Sequence, residues 1–288
     1  MRQLELGSTG LTVKAIGLGA MPLSIQGRPD EARAFEVIEA FVAGGGDFID
    51  TANVYCLDDD DIGHNERLIR QALDRLGASD RVVVATKGGL RRPGGAWVVD
   101  GHPDWLRHSC EQSLKALQID CIALYQLHAV DPKVDLRHSL DALVRLKEEG
   151  KIAHLGLSNV GPAQLEQALG FTVIASVQNH CNVFDKRDFH NGLIDFCRAR
   201  GITYIPYSPV GGHNSHRRLV EDPLLRQLSD RHQVSPYRVA LAWLLHKGRH
   251  ILPIPGASRV ASIRDSLGAL DLTLNPDEIA ALDRLPDR

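Results

Sequence analysis

Short apolar runs bounded by turn residues alternate along this chain with longer stretches whose apolar positions recur every three or four residues. The runs predict strands over residues 15–21, 47–50, 82–86, 122–126, 154–158, 173–178, 203–207 and 250–253. The helix-period stretches fall between them, over 30–43, 65–76, 103–117, 136–149, 162–169, 186–200, 235–246 and 259–267. Asn65 and Ser235 are residue types that cap helix N-termini, and Gly150, Gly170 and Gly201 stand where helices stop. Strands that each return through one helix require right-handed parallel crossovers. Eight such units in about 250 residues fit a closed α/β barrel, the (β/α)8 or TIM barrel, better than an open doubly wound sheet. Residues 2–14 read as a hairpin placed to cover the barrel bottom, with Leu4 and Leu6 alternating before a Ser8-Thr9-Gly10 turn and Leu11 and Val13 after it. Residues 276–285 read as an extra C-terminal helix capped by Asn275-Pro276. With no internal repeat or linker, the expectation is one domain over 1–288.

Charge narrows the partners. The 33 Lys and Arg against 36 Asp and Glu leave a net charge of −3, without the basic excess that nucleic acid or an anionic membrane surface selects. No window approaches a membrane span, and no apolar stretch follows Arg2 as in a secretory signal. Cys56, Cys110, Cys121, Cys181 and Cys197 form an odd set without CxxC spacing, which reads as small core residues in a reducing, cytoplasmic setting rather than as a disulfide framework or structural zinc. Lysine is scarce, eight in the whole chain, so a lysine in a strand-like apolar context draws attention.

A barrel places its chemistry at the C-terminal ends of its strands. Polar residues expected there are Asp50, Tyr55, Lys87, His128, Ser158, Asn159, Gln178, Asn179, Tyr207 and Ser208. Each alone has an ordinary explanation as a cap, a packed aromatic or a solvated cation. Together they describe a phenol whose pKa a nearby lysine lowers, a carboxylate that keeps that lysine charged, and a histidine able to orient a carbonyl. Such a group is a general acid suited to protonating an oxygen while hydride reaches the carbon.

At these residues the chain resembles the aldo-keto reductase superfamily over nearly its whole length. Leu6-Gly7-Ser8-Thr9-Gly10-Leu11-Thr12-Val13 and Ile16-Gly17-Leu18-Gly19-Ala20-Met21 resemble its N-terminal hairpin and first strand. Phe48-Ile49-Asp50-Thr51-Ala52-Asn53-Val54-Tyr55, Gly63-His64-Asn65-Glu66, Ala85-Thr86-Lys87-Gly88-Gly89 and Tyr125-Gln126-Leu127-His128 are similar to the segments carrying its catalytic Asp, Tyr, Lys and His. Gly156-Leu157-Ser158-Asn159, Pro206-Tyr207-Ser208-Pro209 and Ile254-Pro255-Gly256 complete the resemblance. It implies NADPH-dependent, reversible reduction of a small-molecule aldehyde or ketone on a TIM barrel, NADH being the weaker candidate. Tyr55 is then the proton donor, with Lys87 and Asp50 depressing its pKa and His128 orienting the carbonyl. Ser158, Asn159 and Gln178 hold the carboxamide of the cofactor and Tyr207 stacks on its nicotinamide, with Met21, Asp50, Ser208 and Pro209 nearby.

The phosphates are expected across the loops after strands 7 and 8. Gly211 and Gly212, in Val210-Gly211-Gly212-His213, permit close backbone approach, and Gly256-Ala257-Ser258-Arg259 opens a helix suited to an anion. Arg259 is the candidate for the adenosine 2′-phosphate. Ser262 stands where the family commonly has a basic residue or Gln, and Ser266 follows Asp265 where it commonly has Asn; Arg264 is a possible substitute. Gly17-Leu18-Gly19 lacks the third glycine of a Rossmann fingerprint, Pro22 standing there. Trp97, in the loop over 90–102, is a candidate substrate wall beside Tyr55 and His128, and the Asp58–Asp61 run reads first as a solvated loop. The polar segment after Gly212 reads as a short lid. Two alternatives are an NADPH-binding sensor or interaction subunit with slow turnover, as in the potassium-channel β subunits that also resemble this family, and a metal-dependent barrel hydrolase. The second lacks an HxH motif and offers one Asp and one His at strand ends, so no metal is expected.

Overall fold

The computed structural model describes residues 2–287, with residues 213–215 described by backbone alone. Seven parallel strands lie side by side in sequence order: β1 (Leu18–Gly19), β2 (Phe48–Asp50), β3 (Val83–Gly88), β4 (Ile122–Leu127), β5 (Ile152–Ser158), β6 (Ser176–His180) and β7 (Thr203–Tyr207). An eighth segment, β8 (residues 251–256), closes the ring by pairing Ile251 and Ile254 with Tyr204 and Tyr207 of β7, and Gly256 with Gly19 of β1. Its N–H groups serve β7, with Leu252 N donating to Tyr204 O at 2.9 Å, whereas its carbonyls at Pro253 and Pro255 accept from Gly17 and Gly19 at 3.0 Å. The two prolines remove the donors that would face β1, so that seam is a set of single bridges rather than a continuous ladder. A Cβ on Gly19 would stand 2.7 Å from Ile254 O, and one on Gly17 would stand 2.7 Å from the Phe48 ring. The Gly-x-Gly of the first strand therefore serves barrel closure.

Helices α1 (Glu31–Ala43), α2 (His64–Arg75), α3 (Pro103–Leu117), α4 (Leu136–Glu148), α5 (Pro162–Leu169), α6 (Leu193–Ala199), α7 (Pro236–Lys247) and α8 (Val260–Leu267) surround the strands. Asp30, Asp135 and Ser235 cap α1, α4 and α7 by accepting from Arg33, Arg137 and Arg238 N–H groups. Helix α7 buries seven consecutive residues, Val239 to Leu245, and Trp243 Nε1 donates to Asp283 at 2.8 Å in the extra C-terminal helix Pro276–Asp283. Asn275 caps that helix in a reciprocal box with Glu278, as its sequence predicts. The hairpin of Gln3–Glu5 with Thr12–Lys14 covers the N-terminal ends of the strands: Gly7 N donates to Thr203 Oγ1 at 2.7 Å and Lys14 N to Asp47 at 2.7 Å.

Several boundaries move from those predicted. Strand β3 runs two residues past 86, so Lys87 lies inside the strand instead of after it. Strand β6 starts at Ser176, and the ladder of β1 is confined to Leu18–Gly19. The helix predicted over 186–200 breaks into Arg187–His190 and α6, because Gly192 adopts a φ of 80° between them. Asn65 is not a cap: Gly63 precedes α2, and Asn65 is buried in its first turn. The segment after Gly212 is no short lid but two helices, Gly212–Glu221 and Pro223–His232. No helix among the described residues is long and apolar enough to cross a membrane.

Candidate active site

Strands β2, β3, β4 and β6 point four polar side chains into the top of the barrel, where alternation along a strand sends every second residue inward. Lys87, fully buried, donates from Nζ to Asp50 Oδ2 at 2.5 Å, to Thr51 O at 2.9 Å and to Tyr55 Oη at 3.0 Å. The other Asp50 oxygen accepts from Gln178 Nε2 at 2.7 Å and from Gln126 Nε2 at 3.2 Å, so the carboxylate is bonded on both sides. Tyr55 and His128 are 7% and 8% exposed and meet edge to face with ring centres 5.8 Å apart. Asp50, Tyr55, Lys87 and His128, drawn from three separate stretches of sequence, thus form one cluster.

Their charges are set by burial first and by each other second. Burial lifts the Tyr55 phenol above its ordinary value; the charge and hydrogen bond of Lys87 pull it down, and the Asp50 charge pushes it up. This overturns the expectation of a phenol held below its ordinary pKa: Lys87 lowers it as expected, but burial outweighs that pull and the Asp50 charge raises it further. For Lys87, burial opposes the charge, yet Asp50 and Tyr55 outweigh it and hold the ammonium above its ordinary pKa. Burial and then the Lys87 charge keep His128 well below the usual imidazole range, so it is neutral, and its Nδ1 has no partner among the described residues.

The cluster floors a cavity of about 870 Å³. Of the expected cofactor residues, Met21, Asp50, Ser158, Asn159, Gln178, Tyr207, Ser208, Gly256, Ser258, Arg259, Ser262 and Asp265 line it, as do Tyr55, Trp97 and His128. Pro209 and Gly211 do not line it: both are buried beneath the rim, and Gly212 takes the facing position. Arg264 is exposed and outside the lining, whereas Asp265 lines it and is held by Arg238 at 2.9 Å. The side chain of His213 lies outside the described residues.

Local backbone places the polar groups. Asn159 and Ser208 adopt positive φ of 57° and 49°, and Asn159 Nδ2 donates to His128 O at 2.9 Å while its Oδ1 accepts from Tyr207 at 2.8 Å. At the far end, helix Gly212–Glu221 and α8 both begin without a side-chain cap. Walls that the sequence did not predict include Pro22, Ile25, Gln26 and Tyr237. Tyr237 sits in the first turn of α7, whose Ser235-Pro236 cap was visible in the sequence, but nothing in its spacing signalled the cavity. The Asp58–Asp61 run forms a turn in which Asp58 caps Asp60 and Asp61 pairs with Arg28 at 2.5 Å. Among the described residues no group of three His, Cys, Asp or Glu converges as a metal ion would require.

Comparison with known proteins agrees with this geometry. The family model described as the aldo/keto reductase family matches residues 15–287. A probable aldo-keto reductase 1 from Glycine max is 29% identical over 97% of this chain and 87% of its own. A thermostable aldo-keto reductase, Tm1743, solved with the inhibitor epalrestat, superposes with a TM-score of 0.83 at 30% identity, over 98% of this chain and 99% of that one. An aldo-keto reductase from Klebsiella pneumoniae, solved with NADPH, gives 0.81 at 26% identity over 100% and 96% of the two chains. The chain therefore belongs to the aldo/keto reductase family, NAD(P)H-dependent oxidoreductases that act on carbonyl and alcohol groups.

Proposed function

We propose that this protein reduces aldehydes or ketones to alcohols with NADPH, reversibly, and that Tyr55 is the proton donor. The observation that carries the reading is Lys87 Nζ bonded at once to Asp50 and to the Tyr55 phenol, buried under a cavity large enough for a dinucleotide and a small substrate. The residues present fit such a cofactor. Ser158, Asn159 and Gln178 offer hydroxyl and amide groups beside the Tyr207 ring at one end. The uncapped helix N-termini at Gly212 and Val260, with Arg259, offer N–H groups and positive charge to phosphates at the other. NADPH bound in the aldo-keto reductase from Klebsiella pneumoniae supports a nicotinamide cofactor, and the Arg259 charge at the phosphate end is the reason to favour the phosphorylated form. When bound, the nicotinamide supplies a hydride to the carbonyl carbon.

The chain supplies the proton and the field. Tyr55, held above its ordinary pKa, is protonated at neutral pH and donates its proton to the carbonyl oxygen. Lys87, 3.0 Å away, stabilises the phenolate left behind. Asp50 keeps Lys87 charged and fixed, and Gln126 and Gln178 keep Asp50 fixed. A neutral His128 hydrogen-bonds the carbonyl oxygen without competing as an acid. Trp97 walls the substrate side. The five unpaired thiols support a reducing, cytoplasmic setting for a single domain over 1–288. The test is NADPH oxidation on addition of a panel of aldehydes and ketones, compared with NADH. Turnover with NADPH is expected, and its absence across the panel would sink the reading.

A further inference from the structure

Arg92 plays no part in the mechanism above, lies outside the cavity lining and is only 4% exposed. It follows Leu90–Arg91, the first strand of a ribbon that pairs with Val98–Val99 after β3. Its hydrogen bonds go to backbone carbonyls: Nη2 donates to Cys56 O at 3.0 Å and Leu57 O at 3.1 Å, and Nη1 donates to Gly95 O. Its Nε has no partner among the described residues. The guanidinium carbon sits 3.9 Å from the centre of the Trp97 ring, and that indole, 48% exposed, meets Tyr55 edge-on at 6.3 Å.

A guanidinium buried against neutral carbonyls, with its Nε–H unpaired among the described residues, is a poor source of stability. Its value lies in what it connects. Cys56 directly follows Tyr55 in the loop after β2, whereas Gly95 and Trp97 belong to the ribbon after β3. Only arginine combines a planar face for an indole with a fork of donors for several carbonyls. Without that tie, a half-exposed tryptophan on a two-stranded ribbon has little to hold it beside the phenol.

We propose that Arg92 is a positioning residue for the carbonyl reduction: it clamps the Tyr55 loop to the Trp97 ribbon, so that a substrate's apolar side group rests on the indole while its carbonyl meets the phenol. This rests on the reductase reading above. The guanidinium lies outside the cavity lining and is bonded at both Nη atoms, so the indole rather than the charge meets the substrate, which favours planar apolar side groups. Arg92 acts through the two aromatic rings and touches no reacting atom.

The test uses the full chain with NADPH, comparing wild type, Arg92→Met, Arg92→Lys, Trp97→Ala and the Arg92→Met/Trp97→Ala double variant. Benzaldehyde and propanal are the substrates, and NADPH fluorescence reports cofactor binding. With Arg92→Met and Arg92→Lys, kcat is expected to fall by about tenfold or more for both aldehydes, because a shifted acid is misaligned for every carbonyl. KM for benzaldehyde rises while KM for propanal and NADPH affinity stay within about twofold, and the double variant raises the benzaldehyde KM no further than Trp97→Ala alone. Two results overturn the proposal. One is either single Arg92 variant keeping kcat and the benzaldehyde-to-propanal KM ratio within about twofold of wild type. The other is both Arg92 variants losing NADPH binding and folded structure together, which marks a purely structural role. A wild type inactive on both aldehydes overturns the reductase reading itself, and this proposal with it.

Discussion

Glu66 gives the sharpest test of how this barrel treats buried charge. It lies fully buried in the first turn of α2, against β3, where Thr86 Oγ1 donates to its Oε1 at 2.5 Å. Burial pushes its carboxyl from 4.5 up to about 7, with Thr86 among the groups that pull it back. Between these values the folded protein holds the proton and the unfolded chain does not, so this group's contribution to stability falls as pH rises from 4.5 to about 7. At about 1.4 kcal/mol per pH unit, the loss is about 3 kcal/mol once the pH is above that window. Glu66→Gln keeps the shape and the acceptor for Thr86 but removes the titration. Urea unfolding of both proteins should show the variant gaining about 3 kcal/mol on wild type between about pH 5 and about pH 8. Burial lowers His64, His128, His154 and His250, which makes stability rise with pH, but those contributions cancel in the difference. Two stability curves that stay parallel across the window would refute the reasoning.

Further predictions concern the strand that carries Lys87, the phosphate end and the imidazole. A Cβ on Gly88 would stand 2.0 Å from the Tyr125 hydroxyl, so Gly88→Ala should lower urea-derived stability by about 1–3 kcal/mol. Adding Tyr125→Phe should recover only part, because the ring carbon is itself 2.9 Å from that position. Arg259→Ala should weaken NADPH binding by about tenfold, read by cofactor fluorescence, and leave NADH binding nearly unchanged. Equal losses for the two cofactors would remove Arg259 from the 2′-phosphate. Because His128 is neutral well below its ordinary range, the pH profile of kcat should show no break near 6.5, and a break abolished by His128→Gln would contradict that.

The barrel was readable because its periodicities are local: eight apolar runs, each followed by a 3.6-residue repeat, dictate the crossovers regardless of long-range detail. Boundaries were not, where tertiary contacts decide them. Lys87 joins β3 because it pairs with Gln126 across the sheet, and no local feature marks the end of that strand. Gly192 could have been read as a break in the predicted helix over 186–200, since Asn-Gly is a turn signal, and Asp222-Pro223 as the start of a helix. Asn65 has the composition of a cap, but it is spent on Thr51 Oγ1, Ala20 O and Ser24 Oγ, bonds to residues more than ten positions away. Lys87 and the three residues grouped with it, Asp50, Tyr55 and His128, were legible through motif order. Arg92 and Glu66 were not, because their meaning lies in what they touch: a loop and ring from two turns of the barrel for one, an unsolvated wall for the other.

The neutral phenol of Tyr55, hydrogen-bonded by Lys87, is the group held to supply the proton for carbonyl reduction. Single-turnover oxidation of bound NADPH on mixing with an aldehyde isolates that step, with wild type compared against Tyr55→Phe, a change that removes one oxygen. The account predicts unchanged NADPH binding and a rate lower by roughly 100-fold or more, the usual worth of a positioned general acid. A Tyr55→Phe protein that oxidises NADPH at the wild-type rate would contradict it.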